Sequence, residues 1–199
     1  MRSLIVNNIV SLDGFYADEN GNPVVLTMDQ AFDAYNLERL RSAGTVLLGR
    51  TSFEGFGGYW PFVADAPQEA TNRALSQDNR EISRIYNSIP KVVVSDSLEV
   101  PAAHPWAATT TVIGRGDVGQ WLAHEQRNGT GDIIVFASRL MWNGLLTQGL
   151  IDELHLTVSP VALAAGQPLF LCPIELSLME ARAFPGSGNV LLRYRPAST

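Results

Sequence analysis

Short runs of branched apolar residues recur along this chain, each closed by small or hydroxylated residues and followed by a stretch of helical character. The runs are "SLIVNNIV" at 3–10, "TVLLG" at 45–49, "KVVVS" at 91–95, "TTTVIG" at 109–114 and "DIIVFAS" at 132–138. Apolar runs of about four to eight residues bounded by turn formers read as buried strands. Between them, residues 29–42 place Phe32, Tyr35, Asn36 and Leu40 near one helical face, with Asp29 where a negative charge favours the helix start. Gly44 is expected to close that helix. Further helices are predicted over 79–88, stopped by Pro90, over 117–127, and over 139–149, ending on Gly149. "TSFEGFGGYWP" begins helical and breaks at Gly57–Gly58, and residues 64–79 carry no pattern that assigns an element. A long strand is predicted over 152–163, then two last strands at 176–184 and 190–196, joined by the hairpin signal "PGSGN".

Strands that alternate with helices, several of them uninterrupted in their apolar character, imply an α/β protein with a mostly parallel sheet covered on both faces. The closing hairpin adds antiparallel strands. Without a linker, repeat or low-complexity segment, residues 1–199 read as a single domain. The net charge of −6 and the presence of one lysine, Lys91, leave no basic stripe, which excludes broad nucleic-acid binding. Local arginines are still enough to hold one small phosphate ligand. The lone Cys172 excludes an intramolecular disulfide and a thiolate metal cluster; in "PLFLCPIEL" it reads as an inert buried thiol. The N-terminal apolar stretch is too short and too interrupted by asparagine for a signal peptide or membrane span, so a cytoplasmic protein is expected.

In open α/β sheets, ligands bind at the carboxyl ends of the strands. In this chain those ends read Ser11-Leu12-Asp13-Gly14, Gly49-Arg50-Thr51-Ser52, Ser95-Asp96-Ser97, Gly114-Arg115-Gly116 and Ala137-Ser138-Arg139. Small residues and hydroxyls are ordinary at turns. Arginines beside three of these ends are not required by packing, and they point to one phosphate-rich ligand lying across the edge. No Walker sequence is present.

The strings "SLDGFYA", "LLGRTSFEGFGGYWP", "KVVVSDSL" and "DIIVFASRLMWNGLLTQGLIDELHLTVSPVAL…GQPLF" resemble the dihydrofolate-reductase-like superfamily. Within it, they are most similar to the group of the riboflavin-biosynthesis reductase (RibD C-terminal) domain. "LGRTSFE" matches that family's Gly-Arg-x-Thr-Tyr-Glu, and "GLIDELHL…P" followed by "G-x-P-L-F" is the most specific signature. The resemblance spans Leu4 to Tyr194. It implies a three-layer dihydrofolate-reductase-like fold and NADPH as hydride donor, with NADH as the other candidate. The implied activity is that of a dihydrofolate reductase or of the 5-amino-6-(5-phosphoribosylamino)uracil reductase of riboflavin synthesis. On the residues that match, Val10, Gly49, Arg50, Thr51 and Ser52 would meet the cofactor. Ser95, Asp96 and Ser97 would flank the adenosine ribose, with Gly114 and Arg115 beside them. Ala137, Ser138, Arg139 and Leu140 would approach the diphosphate from the other side.

Departures from the family pattern are part of the expectation. Ala137 stands where relatives often carry glycine. Asp96 stands where many carry a cation; its carboxylate would repel a 2′-phosphate and could accept a bond from a 2′-hydroxyl. Asn7 and Asn8 occupy the neighbourhood of a lysine usual in the riboflavin-pathway reductases. The accompanying zinc deaminase domain has no ligand set here. Asp29 reads either as the carboxylate that assists substrate protonation in folate reductases or as a helix-start charge. Asp13 reads as a residue that orients substrate or as a loop cap. Ser11, Phe32, Tyr59 and Trp60 are the remaining substrate-side candidates. His155, alternating with Leu154 and Leu156, reads as a structural histidine. Late strands rich in apolar residues suggest a symmetric homodimer.

Overall fold

The computed structural model describes residues 2–69 and 72–197; positions 70 and 71 of the unassigned stretch lie outside the described residues. In chain order the strands are β1 (Leu4–Ser11), β2 (Phe15–Ala17), β3 (Ala43–Gly49), β4 (Lys91–Val94), β5 (Thr110–Ile113), β6 (Asp132–Phe136), β7 (Glu153–Ser159), β8 (Gln167–Pro168), β9 (Leu176–Ala183) and β10 (Val190–Pro196). The helices are α1 (Gln30–Ser42), α2 (Arg50–Gly57), α3 (Trp60–Val63), α4 (Gln77–Ser88), α5 (Val118–Asn128) and α6 (Arg139–Leu146). An eight-stranded sheet runs β5-β4-β3-β6-β1-β7-β10-β9, and β2 with β8 forms a separate two-stranded sheet. The strands from β5 to β7 are parallel, and the β9–β10 hairpin adds the antiparallel edge.

Strand periodicity divides the apolar residues between two layers. Leu4 and Val6 of β1 and Leu47 of β3 pack under Val118 and Leu122 of α5 and Trp142 and Leu145 of α6. Ile5, Val46 and Leu48 face the other way, against Leu37 and Leu40 of α1 and Ile82 and Tyr86 of α4. Each such side chain, fully buried, stabilises the fold by about 1.5–3 kcal/mol. The parallel core needs crossover connections, and the helices over both faces are those connections.

Four details differ from the sequence reading. Gly44 does not close α1 but lies inside β3, where a Cβ would stand 1.8 Å from the Thr130 carbonyl oxygen; close backbone approach, not helix termination, requires the glycine. The strand expected over 152–163 ends at Ser159, before Pro160, which has no N–H to give a ladder. It also runs inside the sheet, between β1 and β10, so its apolar residues are hidden within the chain. Cys172 is half-buried rather than enclosed. Among the described residues, no helix is long and apolar enough to cross a membrane.

Candidate active site

The chain lays down β1, β3, β4 and β5 outward, then returns with β6 between β3 and β1. At this reversal the ends of β3 and β6 stand side by side. The Gly49 N–H donates to Ser138 Oγ at 3.0 Å, and the Ser138 N–H donates to Ser52 Oγ at 2.9 Å. These two bonds hold the starts of α2 and α6 against each other. Neither helix has a side-chain cap, so their first turns present backbone donors without intrahelical partners, at the positive end of each helix. Between them runs a groove of about 680 Å3, lined by Gly49, Arg50, Thr51 and Ser52 on one side and Ser138, Arg139 and Leu140 on the other, with Arg115 at one end.

Ala137 and Ser138 have φ of 49° and 54°. Two successive non-glycine residues in the left-handed region cost roughly 1–2 kcal/mol each. Strain of this kind, held by surrounding structure, is a marker of functional positions. Asn8 Nδ2 donates to the Ala137 carbonyl at 3.2 Å and helps to fix it.

Ser95, Asp96, Ser97, Gly114 and Val10 stand around the groove rather than in its lining, whereas Arg50 and Arg139 belong to the lining. Ser95 Oγ accepts the N–H groups of Ser97 and Leu98 and shapes the turn after β4. Asp96 accepts the Arg115 N–H at 2.8 Å and pairs with its guanidinium at 3.5 Å. Gly114 begins the turn into α5, its carbonyl accepting from the Asp117 N–H. Val10 is buried in β1. Arg50 is half-exposed; its Nε donates to Glu54 at 2.8 Å and its Nη1 to Ser97 Oγ at 3.3 Å. Arg139 donates to the Pro168 carbonyl at 2.8 Å and to Gln167 at 3.3 Å, tying β8 to the groove as a wall.

On the α1 face, a second cavity of about 170 Å3 meets the groove at Tyr16 and the Ala137–Ser138 peptide. Phe32 and Trp60 line it, with Phe56, Tyr86 and Phe136. Asn7 and Asn8 of β1 and Asn36 of α1 bring amides to its lining, the Asn7 amide donating to Asn36 Oδ1 at 2.7 Å. Burial pushes the Tyr16 phenol above its usual pKa, against the opposing charge of Arg139.

The remaining substrate-side candidates stand outside this lining. Ser11 donates to Asp13 at 2.6 Å, and Asp13 also accepts the N–H groups of Leu163 and Ala164, at 3.1 and 2.7 Å. The Ser11 hydroxyl and these amides hold the Asp13 carboxyl down at about 2, so it clasps the loop after β7 as a carboxylate. Asp29 caps α1 by accepting the Phe32 N–H at 3.0 Å, and it also accepts from Ser187 and Asn189. Burial raises its pKa, but the Ser187 hydroxyl, the Phe32 amide and Asn189 together outweigh it and leave the pKa lowered. Tyr59 is exposed, with its hydroxyl directed to the Ala74 carbonyl.

The geometry also brings in residues that the sequence reading did not assign to the site. Tyr16 stands at the junction of groove and cavity, and Asn36 shares the helical face of Phe32, one turn along. Met141, Gln148 and Gln167 complete the groove. Asn36 could have been found from the i, i+4 spacing; β2 and β8, which bring in Tyr16 and Gln167, are too short to carry a pattern.

The RibD C-terminal domain family matches residues 2–185. The chain belongs to that family. It is similar to the uncharacterized protein YyaP of Bacillus subtilis, with 26% identity over 196 residues, 97% of this chain and 94% of that one. Among solved structures, a putative riboflavin biosynthesis protein from Shewanella sp. PV-4 superposes with a TM-score of 0.68 at 19% identity, covering 98% of this chain and 99% of that one. Enterococcus faecalis dihydrofolate reductase, complexed with NADP(H) and RAB-propyl, gives 0.58 at 14% identity, covering 98% and 97%. The fold of this RibD C-terminal family member is thus dihydrofolate-reductase-like, a mostly parallel sheet with a C-terminal antiparallel hairpin.

Proposed function

We propose that the chain is an NAD(P)H-dependent reductase that transfers a hydride to a small heterocyclic (pterin- or pyrimidine-like) or carbonyl substrate. One observation carries this reading: a groove flanked by two uncapped helix starts meets an apolar cavity at the strained Ala137–Ser138 peptide. A dinucleotide uses the first feature for its diphosphate and the second for the ring its nicotinamide must meet. Gly49 fits the same reading. A Cβ there would make only ordinary contact with Met141, at 3.5 Å, so the protein's own packing does not demand glycine, whereas a closely approaching diphosphate does. The enterococcal reductase of the same fold is a complex with NADP(H).

A bound reduced nicotinamide supplies the hydride, and the chain supplies position and exclusion of water. Arg50 and Arg115 bring positive charge to the groove, and the hydroxyls of Thr51 and Ser52 lie beside the α2 amides. Trp60 and Phe32 line the neighbouring cavity and exclude part of its solvent. The accompanying proton comes from water or from the hydroxyl of Tyr16, a residue that lines both spaces.

Titration with NADPH and NADH tests the assignment: one binding site for at least one of them is expected, and no binding of either at millimolar concentration overturns it. The Asp96–Arg115 pair makes the comparison informative, because the carboxylate disfavours a 2′-phosphate and the arginine favours it. A second reading, a dinucleotide-binding protein without catalysis, draws on the commitment of Asp13 and Asp29 to loop and helix contacts. NADPH oxidation with a pterin, pyrimidine or quinone acceptor would rule it out.

We also propose a symmetric homodimer formed along β9, the antiparallel edge of the sheet, where Leu178 and Met179 are exposed. Unpaired edges with apolar side chains recruit partners. Light scattering should give about twice the 21.7 kDa chain mass; a monomer mass at all concentrations would contradict this.

A further inference from the structure

We infer that the Tyr16 hydroxyl is the acid of the reaction: it gives the proton that accompanies a hydride onto a C=O or C=N bond, and Arg139 steadies the phenolate left behind. The inference rests on the reductase reading and puts a named side chain in place of water as the proton source. Position comes first. Among the described residues, Tyr16 is the one common to the linings of groove and cavity, so it stands where a cofactor held in one meets a substrate held in the other. The backbone fixes this place. Phe15 pairs with Pro168 and Ala17 with Gln167, which makes Tyr16 the extra residue of a β-bulge in β2. Bulges re-aim side chains and recur beside active sites. The strand is pinned on both sides of the bulge. The Phe15 N–H donates to Ser11 Oγ at 2.7 Å. Gly166, where a Cβ would stand 2.3 Å from the Ala17 carbonyl oxygen, lets the chain entering β8 lie close.

Chemistry narrows the choice of donor. Among the described residues, neither lining contains a carboxylic acid or a histidine. Asp13 and Asp29 are committed to the loop after β7 and to the start of α1. Tyr86 is deeply buried and lines the cavity without reaching the groove. The Ser52 and Ser138 hydroxyls each accept a backbone N–H at the helix starts. The Tyr16 ring packs against the core, a task phenylalanine would do as well. Its hydroxyl has no hydrogen-bond partner among the described residues, and it is free to donate to a substrate oxygen or nitrogen.

Charge completes the acid. Arg139 donates to the Pro168 carbonyl and to Gln167, the two residues paired with the neighbours of Tyr16, so its guanidinium is fixed opposite the bulge. Both partners are neutral, which leaves its charge uncompensated by them. Burial raises the Tyr16 pKa and the Arg139 charge opposes that rise. The elements packed against β2 (β1, β8 and the turn at Pro23–Val25) contain no Asp, Glu, His, Lys or Arg. Asp13 and Asp18, in the loops on either side, are bound to backbone N–H groups. The phenol thus keeps its proton at neutral pH, and the phenolate it becomes has a cation beside it.

The step balances. Hydride from the bound reduced nicotinamide adds to the carbon of the double bond, whose π pair moves to the oxygen or nitrogen. The Tyr16 O–H breaks, its proton bonds to that heteroatom, and its electron pair stays on the phenolate oxygen. A proton from water in the groove restores the phenol.

The test uses the full chain labelled with 3-fluorotyrosine and followed by 19F NMR. The chain has five tyrosines, and the Tyr16 signal is the one lost in Tyr16→Phe. NADP+ carries a positive charge on its nicotinamide ring and NADPH does not. The Tyr16 signal should titrate about one pH unit lower with NADP+ than with NADPH, the size expected of a unit charge several ångströms away in a partly buried site. Arg139→Met should raise the midpoint in the free chain. Single turnovers then compare 4-nitrobenzaldehyde, 9,10-phenanthrenequinone and 3,4-dihydroisoquinoline, an aldehyde, a quinone and an imine. Tyr16→Phe should slow the fastest of them by about 100-fold or more, the scale of a general acid. Its NADP+ affinity should stay within about threefold of the natural chain's, under 1 kcal/mol by the tenfold-per-1.4 relation. The acid role is overturned if the Tyr16 midpoint is the same in both complexes, if Tyr16→Phe reacts as fast as the natural chain, or if the natural chain reduces none of the three. Calorimetric titration with both dinucleotides separates the two claims. Binding with an unmoved Tyr16 signal removes the acid and keeps the reductase reading; binding of neither removes the reductase reading, and the acid with it.

Discussion

Arg50→Ala should bind NADPH roughly tenfold to hundredfold more weakly than the natural chain, the equivalent of about 1.5–3 kcal/mol for a hydrogen bond to a charged group. Arg50 is placed for this by two neighbours. Gly49 ends β3 without a side-chain cap, so Arg50 opens α2 at its positive end, where an anion is favoured. Its guanidinium is held toward the turn after β4 by Glu54 and Ser97. Both contacts lie in solvent, and an exposed i, i+4 pair is worth only about 0.3–0.5 kcal/mol. Thermal stability without ligand should therefore barely change, and the loss of affinity cannot be attributed to unfolding. Salt gives a second readout. Screening weakens a charge contact in the natural protein more than in a variant that lacks it, so the gap should narrow as ionic strength rises. Arg50→Lys should fall between the two, since an ammonium keeps the charge and loses the planar fork. Unchanged affinity for both NADPH and NADH would leave the Gly-Arg-Thr-Ser turn as a plain strand-to-helix junction.

The scaffold of the site was legible because it is made locally. Branched runs such as "TVLLG" and "DIIVF" can hardly be anything but buried parallel strands once helices separate them. The turns that close them, Gly49-Arg50-Thr51-Ser52 and Ala137-Ser138-Arg139-Leu140, carry their chemistry in consecutive residues. The structure places these two turns against each other, bonded through Ser52 and Ser138. What stayed hidden is made by distant partners. Asp29 read as a helix-start charge or a candidate acid; it caps α1 as the first reading has it, but the donors that further commit it, Ser187 and Asn189, lie 158 and 160 positions away. Asp13 likewise meets Leu163 and Ala164 only across the fold. The cavity is a product of packing, so the Asn7–Asn36 pair has no signature in either segment alone. Gly44 was misread for the same reason: the Thr130 carbonyl that demands a glycine comes from the loop before β6.

Lowering the pH from about 6.5 to about 4 should remove about 3 kcal/mol of folding stability through His155 alone. His155 is fully buried in β7. Its Nδ1 lies 2.7 Å from the Tyr35 hydroxyl, and its Nε2 lies 2.8 Å from Glu153, with Arg193 beside both. Burial pushes its pKa down to about 4, although Glu153 pulls the other way. The neutral ring thus accepts from Tyr35 and donates to Glu153, the shorter of the two contacts at Nε2. In the unfolded chain the same imidazole titrates near 6.5. Between these values the unfolded state binds the proton and the folded state does not, so stability rises with pH across the window and is lost as pH falls through it. A depression of this size, at about 1.4 kcal/mol per pH unit, gives the expected loss. Glu153 and Glu180 have lowered pKa values and Asp13 lies at about 2, so their contributions fall mainly at the acid end of the window and below. His104 is also held low, so the measurement is a difference. Urea unfolding at pH 7, 6, 5 and 4.5 should show a markedly flatter pH slope for His155→Gln than for the natural chain, whatever stability the substitution costs at neutral pH. Parallel slopes would mean that the buried imidazole carries its proton in both states, and that Glu153, not burial, governs it.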